Sequence, residues 1–291
     1  MKHAFLITAY NNFANLNRLL ELLDDNRSIV FLHIDKKVHT SQNIYKPSFA
    51  QLYTVPAMNV RWGDVSQIEC ILSLIEYALD YDWDYCHYLS ESDMPLKTIS
   101  EIDAVFSENR GKEFVDFAPK NYDFAHYKCD VYHYFTRFSA YRNSKLLKIL
   151  NHGIARLQWW TGYRRRNIKY YHGSAFFSVT KDCALFIDKH KTVVLQAYAY
   201  SLGPDEVWLQ TLLMSSEYKE KLYMFESLYM GNLRYIDWSR RHGNSPYTFT
   251  TADFEDLVSK GQHTELCFAR KFSANSECAT LLKKYLLTKE V

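Results

Sequence analysis

Apolar and polar positions along this chain fall into short, readable blocks. His3 to Ala9 is a nearly continuous apolar run, followed by Tyr10, Asn11 and Asn12 and then by NLNRLLELLDD, whose leucines sit at helical spacing. The pattern predicts strand, polar loop, helix. SIVFLHID predicts a second buried strand ending at Asp35, which completes a βαβ unit with a parallel strand pair. Asp64 to Leu79 repeats the helical spacing, and DYCHYLSESDMPL predicts a strand running into a polar loop. Further on, HGSAFFSVT reads as a strand, GPDEVWLQTLL as a helix entered through Pro204, and Ala279 to Leu287 as a closing helix. From Lys120 to Lys169, Tyr, Arg and His crowd together without a clean period, which predicts an insertion or covering segment. The whole is α/β, with a central, mostly parallel sheet flanked by helices. Ligands of such sheets bind at the carboxyl ends of the strands, so Tyr10 to Asn12, Asp35 to Lys37 and Ser90 to Asp93 are expected to converge on one crevice.

A chain of 291 residues, 47% of them hydrophobic, fits one domain spanning 1–291. Its 35 basic and 33 acidic residues leave a formal charge of +2, which argues against nucleic acid and against strong electrostatic attachment to anionic lipid. Aromatic rings are abundant, with 23 Tyr, 18 Phe and 6 Trp, and such rings suit stacking on sugar faces, although core packing is the commoner fate of each one. The six cysteines are scattered without CxxC or Cys/His spacing, so neither a zinc site nor a disulfide framework is expected, and reduced thiols fit a cytosolic protein. The first apolar run is too short for a signal h-region and lacks a small-residue cleavage site. No apolar segment approaches the roughly 20 residues that cross a bilayer. The expected location is cytoplasmic, with peripheral contact on the inner face of the cell membrane as a further option. The basic stretch Arg164 to Lys169, flanked by Trp159 and Trp160, reads first as a solvated loop, with contact to that surface as the alternative.

Taken in order, HAFLITAYNN, FLHIDKK, RWGDVSQIECILSLIEYAL, YCHYLSESDMPLKT, HGSAFFSVTKD, LGPDEVWLQTLL and CFARKF resemble the motifs of the core-2/I-branching β-1,6-N-acetylglucosaminyltransferases and their xylosyltransferase relatives. The series covers nearly the whole chain. The resemblance implies a GT-A-like fold, a UDP-sugar donor and inversion at the anomeric carbon. It also implies a division into residues 1–120, mainly binding the nucleotide sugar, and 121–291, mainly acceptor and catalytic. The expected reaction moves N-acetylglucosamine from UDP-GlcNAc to a glycan hydroxyl, O6 first, in bacterial surface polysaccharide synthesis, on an acceptor that is free or lipid-linked. UDP-xylose is the rival donor, and a catalytically inactive glycan-binding homologue is the rival class.

Such a transfer needs a general base behind the acceptor hydroxyl, charge to receive the departing diphosphate, and a nucleotide pocket. Glu206 in GPDEVW matches the family's SPDE-type motif and is the expected base. First-turn helix amides would lower its basicity, and burial against Trp208 is the expected compensation. Most GT-A enzymes hold a metal on a DxD pair. Here Asp80, Asp82 and Asp84 precede their strand and so lie at its amino end, whereas Glu91 and Asp93 are at the correct end and are the metal-dependent alternative. The resemblance implies no metal and no cofactor: Lys271 in CFARKF would hold the diphosphate. The family's second phosphate-binding arginine has no counterpart in Tyr247 to Leu257, which leaves Arg270, Arg234, Arg240 and Arg241 as substitutes. Ala9, Tyr10, Asp35, Trp62, Gly63, Ser66, Ser92 and Asp93 match positions that border the nucleotide sugar. Asp35 has a turn-forming role before Lys36 and Lys37 as its alternative, and His33 is expected to be a packed strand residue. Gly173, Ser174, Tyr235 and Trp238 match acceptor-side positions.

Overall fold

The computed structural model describes residues 1–39, 43–118, 122–166, 168–223, 231–243 and 245–289. In chain order the elements are β1 (His3–Ala9), α1 (Phe13–Leu22), β2 (Ser28–Ile34), β3 (Gln51–Thr54), α2 (Ser66–Leu79), β4 (Tyr85–Ser90), β5 (Asp93–Pro95), α3 (Ile99–Glu108) and β6 (Phe114–Val115). They continue with α4 (Tyr122–Cys129), α5 (Lys145–Trp160), β7 (Phe177–Thr180), α6 (Lys181–Lys189), α7 (Lys191–Tyr198), α8 (Trp208–Met214), β8 (Arg234–Ile236), α9 (Phe254–His263), β9 (Phe268–Arg270) and α10 (Glu277–Lys289).

The main sheet runs β3-β2-β1-β4-β7-β6. Its first four strands are parallel, and β7 is antiparallel to both β4 and β6. This is the GT-A-like arrangement expected from the motifs. β1 is covered on both faces, as its unbroken apolar run requires. Ala4 and Leu6 enter one core with α2, α6 and α8, while Phe5, Ile7 and Ala9 enter a second core with α1, α3, α9 and α10. β2 alternates the same way, with Phe31 in the first core and Val30 and Leu32 in the second. Burying a side chain of this size contributes roughly 1.5–3 kcal/mol, so the two cores fix the register of the central strands. α3 starts at a capping box in which Thr98 accepts from the Glu101 amide and the Glu101 carboxylate accepts from the Thr98 amide.

β1 leads toward β2 on one side and β4 lies on the other, so the strand order reverses between β1 and β4 and opens a crevice at their carboxyl ends. A second sheet, β5-β9-β8, closes that crevice from below Ser92: the Phe272 amide donates to the Ser92 carbonyl at 2.9 Å.

Several boundaries differ from the sequence expectation. The strand expected in HGSAFFSVT begins only at Phe177, because Gly173 and Ser174 are drawn out of line by hydrogen bonds to the Glu206 turn and to Gln210. The helix expected from Pro204 is a 3₁₀ turn, Pro204–Glu206, and the α-helix starts after it at Trp208. The unreadable stretch from Lys120 contains α4 and the sixteen-residue α5, although Lys120 itself lies outside the described residues. All six cysteines are buried and unpaired. Among the described residues no helix is long and apolar enough to cross a membrane.

Candidate active site

Glu206 stands where the chain turns from α7 into α8. Gly203 adopts the left-handed conformation (φ 57°) that admits the turn, and Pro204 opens it. Two neighbours hold the carboxylate: Lys128 Nζ, from α4, donates to Oε2 at 2.5 Å, and His172 Nε2 lies 3.3 Å from the same oxygen. The Gly173 amide donates to the Glu206 carbonyl at 2.9 Å. Burial pushes the Glu206 carboxyl up, but the His172 hydrogen bond and the Lys128 charge overcome it and hold the group well below the usual carboxylate range. Protein surrounds Glu206 on most sides, yet its side chain keeps 38% of its surface open to solvent. Asp205 moves the other way: burial first, then the adjacent Glu206 charge, raise its carboxyl, and its Oδ2 accepts from Gln67 Nε2 at 2.9 Å.

Trp208 does not supply the expected compensation. It is 1% exposed and sits in the first core, so the ion pairs set the Glu206 environment. Neither Lys128 nor His172 was singled out by the sequence; both lie within or just beyond the stretch with no readable period.

Asp116, just after β6, is a third residue the sequence reading missed. Burial raises its carboxyl to about 6 against the opposing Ser174 amide and His172 charge, and its Oδ1 has no partner among the described residues. The backbone around it is close-packed. A Cβ at Gly173 would lie 1.9 Å from the Asp116 carbonyl oxygen and 2.9 Å from Gln210 Nε2, so only glycine fits there.

Across the crevice, the carboxyl end of β9 presents Arg270 and Lys271. Arg270 NH1 donates to Asp93 Oδ1 at 2.8 Å and to Ser90 Oγ, and its guanidinium lies 4.4 Å from the centre of the Phe176 ring. Among the described residues nothing takes its other two nitrogens. Lys271 Nζ donates to Ser245 Oγ at 2.7 Å and has no carboxylate partner among the described residues. Burial, and then the neighbouring charges of Arg270 and Arg142, push its ammonium down. Arg142, another residue the sequence did not mark, thus adds positive charge here. Tyr88 on β4 ties the two sides together: it feels both Asp205 and Arg270, and its ring stacks on Phe176 at 5.4 Å.

The remaining expected residues divide. Gly63 (φ 76°) accepts from the Gly203 amide at 2.9 Å, which joins the RWGD loop to the Glu206 turn. Ala9 closes β1 and accepts from the Asp35 amide at 2.9 Å, and Tyr10 and Trp62 are about half exposed at the crevice end. Asp35 fulfils its turn-forming alternative: Oδ1 accepts from the Lys37 amide, Oδ2 accepts from the Val60 amide, and Lys37 Nζ lies 3.2 Å away. His33 is packed as expected, with Nε2 accepting from the Met58 amide. Ser66 is buried with its hydroxyl engaged by the Arg61 amide, so it does not face the crevice. Ser92 accepts from Asn12 Nδ2 at 3.3 Å. Asp93 accepts from the Ser90 amide at 2.6 Å through Oδ2 and from Arg270 NH1 at 2.8 Å through Oδ1. No three of the described His, Cys, Asp or Glu residues could together hold a metal ion. The DYDWDY acids lie at the amino end of β4 as expected, where Asp82 pairs with Lys2.

Arg234 is a correction. It is 4% exposed, and its guanidinium donates to the carbonyls of Asn232, Phe177 and Tyr88 and to Ser178 Oγ, so it joins the two sheets and cannot reach a diphosphate. Arg240 is likewise held, between Asp237 and Asp253 at 2.6 Å each. Arg241 is exposed. Ser174 faces inward, its hydroxyl taken by the Phe176 amide and its carbonyl by Gln210. Tyr235 is partly buried and stacks on Phe249 beneath Lys260, and Trp238 is 46% exposed.

Comparison with known proteins follows the same outline. A sequence profile described as "Core-2/I-Branching enzyme" matches residues 3–259. The chain belongs to the core-2/I-branching enzyme family. Curated relatives include xylosyltransferase 2 of Rattus norvegicus, 26% identical over 93% of this chain and 32% of that protein, and xylosyltransferase 2 of Canis lupus familiaris, with the same identity and shares. Xylosyltransferase oxt of Drosophila pseudoobscura pseudoobscura is 22% identical over 96% of this chain and 32% of its own length. The chain therefore spans about a third of the curated relatives it matches. The family match runs into α9 and includes Lys128, His172 and Glu206; Arg270 and Lys271 fall beyond it.

Proposed function

We propose that this protein is an inverting glycosyltransferase that moves a sugar from a UDP donor to a hydroxyl of a glycan acceptor. One observation supports the reading: Glu206 is held by Lys128 and His172, Lys271 is a half-buried cation without a carboxylate partner among the described residues, and Tyr88 on β4 feels the charges of both Asp205, next to Glu206, and Arg270, next to Lys271. In this reading Glu206 takes the proton of the acceptor hydroxyl, and Lys271, with the free nitrogens of Arg270, receives the charge that develops on the leaving diphosphate. Two fixed cations do there what a metal does in other enzymes of the fold, so no metal is required. The donor sugar is N-acetylglucosamine and the acceptor position O6, in surface polysaccharide synthesis. The relatives named as xylosyltransferases make UDP-xylose the rival donor.

Asp116 favours a second reading for the base. Its carboxyl is raised to about 6 and carries an unpartnered oxygen, properties better matched to proton abstraction near neutral pH than those of the ion-paired Glu206. UDP release from a panel of UDP-sugars, with and without EDTA, tests these assignments on the native protein, Glu206→Gln and Asp116→Asn. Normal turnover by Glu206→Gln removes that residue from the role, and abolition by EDTA removes the cationic account of the leaving group.

A further inference from the structure

The longest helix of the protein is built inside out. On α5 (KLLKILNHGIARLQWW) the buried residues are Asn151 and Ala155. Asn151 faces inward to hydrogen-bond: its Nδ2 lies 2.9 Å from His133 Nδ1, and its Oδ1 accepts from the Phe135 amide. The large apolar side chains point outward instead. Leu146 is 65% exposed, Ile149 67%, Leu157 61% and Trp160 79%, with Leu150 and Ile154 also exposed. At 3.6 residues per turn these six fall within an arc of roughly 140°, a continuous stripe facing away from the protein. Phe138, at 56%, stands exposed just before the helix. Scattered exposed apolar residues need no explanation, but an ordered apolar stripe on a polar anchor does.

Charge surrounds the stripe. From Val131 to Thr180 the sequence holds nine Lys or Arg and no Asp or Glu, so the chain's net charge of +2 conceals a strongly basic segment set against an acidic remainder. Arg142, Lys145, Lys148 and Arg156 lie on or just before α5, and no described carboxylate pairs with them. The stretch singled out from sequence, Arg164 to Lys169, contributes less. Arg164 lies 3.7 Å over the Trp159 ring, Arg165 and Arg166 donate to the Ala197 carbonyl, and Asn167 lies outside the described residues.

We propose that α5 docks on an anionic membrane surface, its apolar stripe entering the headgroup boundary and its flanking basic residues meeting lipid phosphates. An exposed apolar face bordered by cations and free of acids is the charge complement of such a surface. A second copy of this chain fits less well, since a symmetric pairing through α5 would bring like-charged flanks together without a carboxylate to offset them. The docking does not rest on the transferase reading. If both hold, the acceptor is lipid-linked, because α5 packs beside α4, whose Tyr127 lies 3.1 Å from His152 and whose Lys128 holds Glu206.

The test is co-sedimentation with vesicles of phosphatidylcholine alone and of phosphatidylcholine with phosphatidylglycerol, at low and high salt, together with gel filtration. The proteins are the native chain, Ile149→Glu/Leu157→Glu, and Lys145→Gln/Lys148→Gln/Arg156→Gln. All these positions lie outside the catalytic machinery, and all but the partly buried Lys148 are exposed. The native protein is expected to pellet with anionic vesicles, with a blue shift of Trp fluorescence. The apolar double variant should lose binding, and the charge variant should bind about tenfold or more weakly, at a few-fold per removed cation. UDP release with a water-soluble acceptor should be unchanged in both. The proposal fails if the native protein ignores anionic vesicles or if the apolar double variant binds as well as it does. A native dimer that Ile149→Glu/Leu157→Glu dissociates would assign the stripe to a second copy and overturn the proposal as well.

Discussion

Replacing Lys128 with Met tests the core of the active-site reading, because it removes the cation 2.5 Å from Glu206 while nearly preserving the volume of a side chain that is 8% exposed. An opposite charge at this range moves a carboxyl by about 1–3 pH units. Glu206 keeps 38% of its surface open, so solvent screening places the expected change near the lower end, about one unit upward. The sign follows directly. A depressed carboxyl stays ionised to lower pH, so the native enzyme should hold its kcat/KM as pH falls, and the variant should lose it sooner. Because the Glu206 carboxyl is lowered to about 2 in the native protein, the assay is kcat/KM for UDP release between about pH 2 and pH 8, whose acid limb reports the base of the free enzyme. A native acid limb near 6, unmoved by Lys128→Met, would refute the reasoning and transfer the base to Asp116, whose carboxyl sits at that value.

Gly173→Ala should unseat the site, since its Cβ would meet the Asp116 carbonyl at 1.9 Å; we expect a loss of about 1–3 kcal/mol or more in chemical denaturation together with loss of transfer, and an unchanged midpoint would show that the loop yields. Lys271→Ala should lower kcat by about 10²–10³ while leaving thermal stability nearly unchanged, and a change confined to KM would assign the lysine to ground-state binding. Burial holds His133 neutral, lowering it from 6.5 to about 4, so the folded protein refuses a proton that the unfolded chain accepts. That contribution is complete above pH 6.5 and is lost progressively toward about pH 4, for a total of about 3 kcal/mol. Urea denaturation at both pH values should show a smaller difference in His133→Asn, and an equal difference in the two proteins would exclude this histidine as the source.

The half of the fold built from βαβ units was legible because buried parallel strands and amphipathic helices each impose a period on the sequence. α1, β2 and β4 fell where the pattern put them. α5 was obscured because its buried side is Asn151 and Ala155, and because its approach is held by aromatic and cation–π contacts, such as Arg165 over Tyr132, that have no fixed spacing. Glu206 and Lys271 could be named from local motifs. Lys128 could not: it lies 78 positions from Glu206 and meets it only once α4 is packed. Arg234 misled for the opposite reason. A charged residue is normally exposed, and only the backbone carbonyls gathered around this one reveal that it is internal.

The hydrogen bond between Gly63 and Gly203, supported by Gln67 to Asp205, bears on how such enzymes can be re-engineered. The RWGD loop and the turn carrying Glu206 are fastened back to back at two left-handed glycines, so neither can be transplanted alone. A chimera that exchanges residues 61–67 must carry residues 202–206 from the same parent, or its new loop will arrive without the seat that positions Glu206.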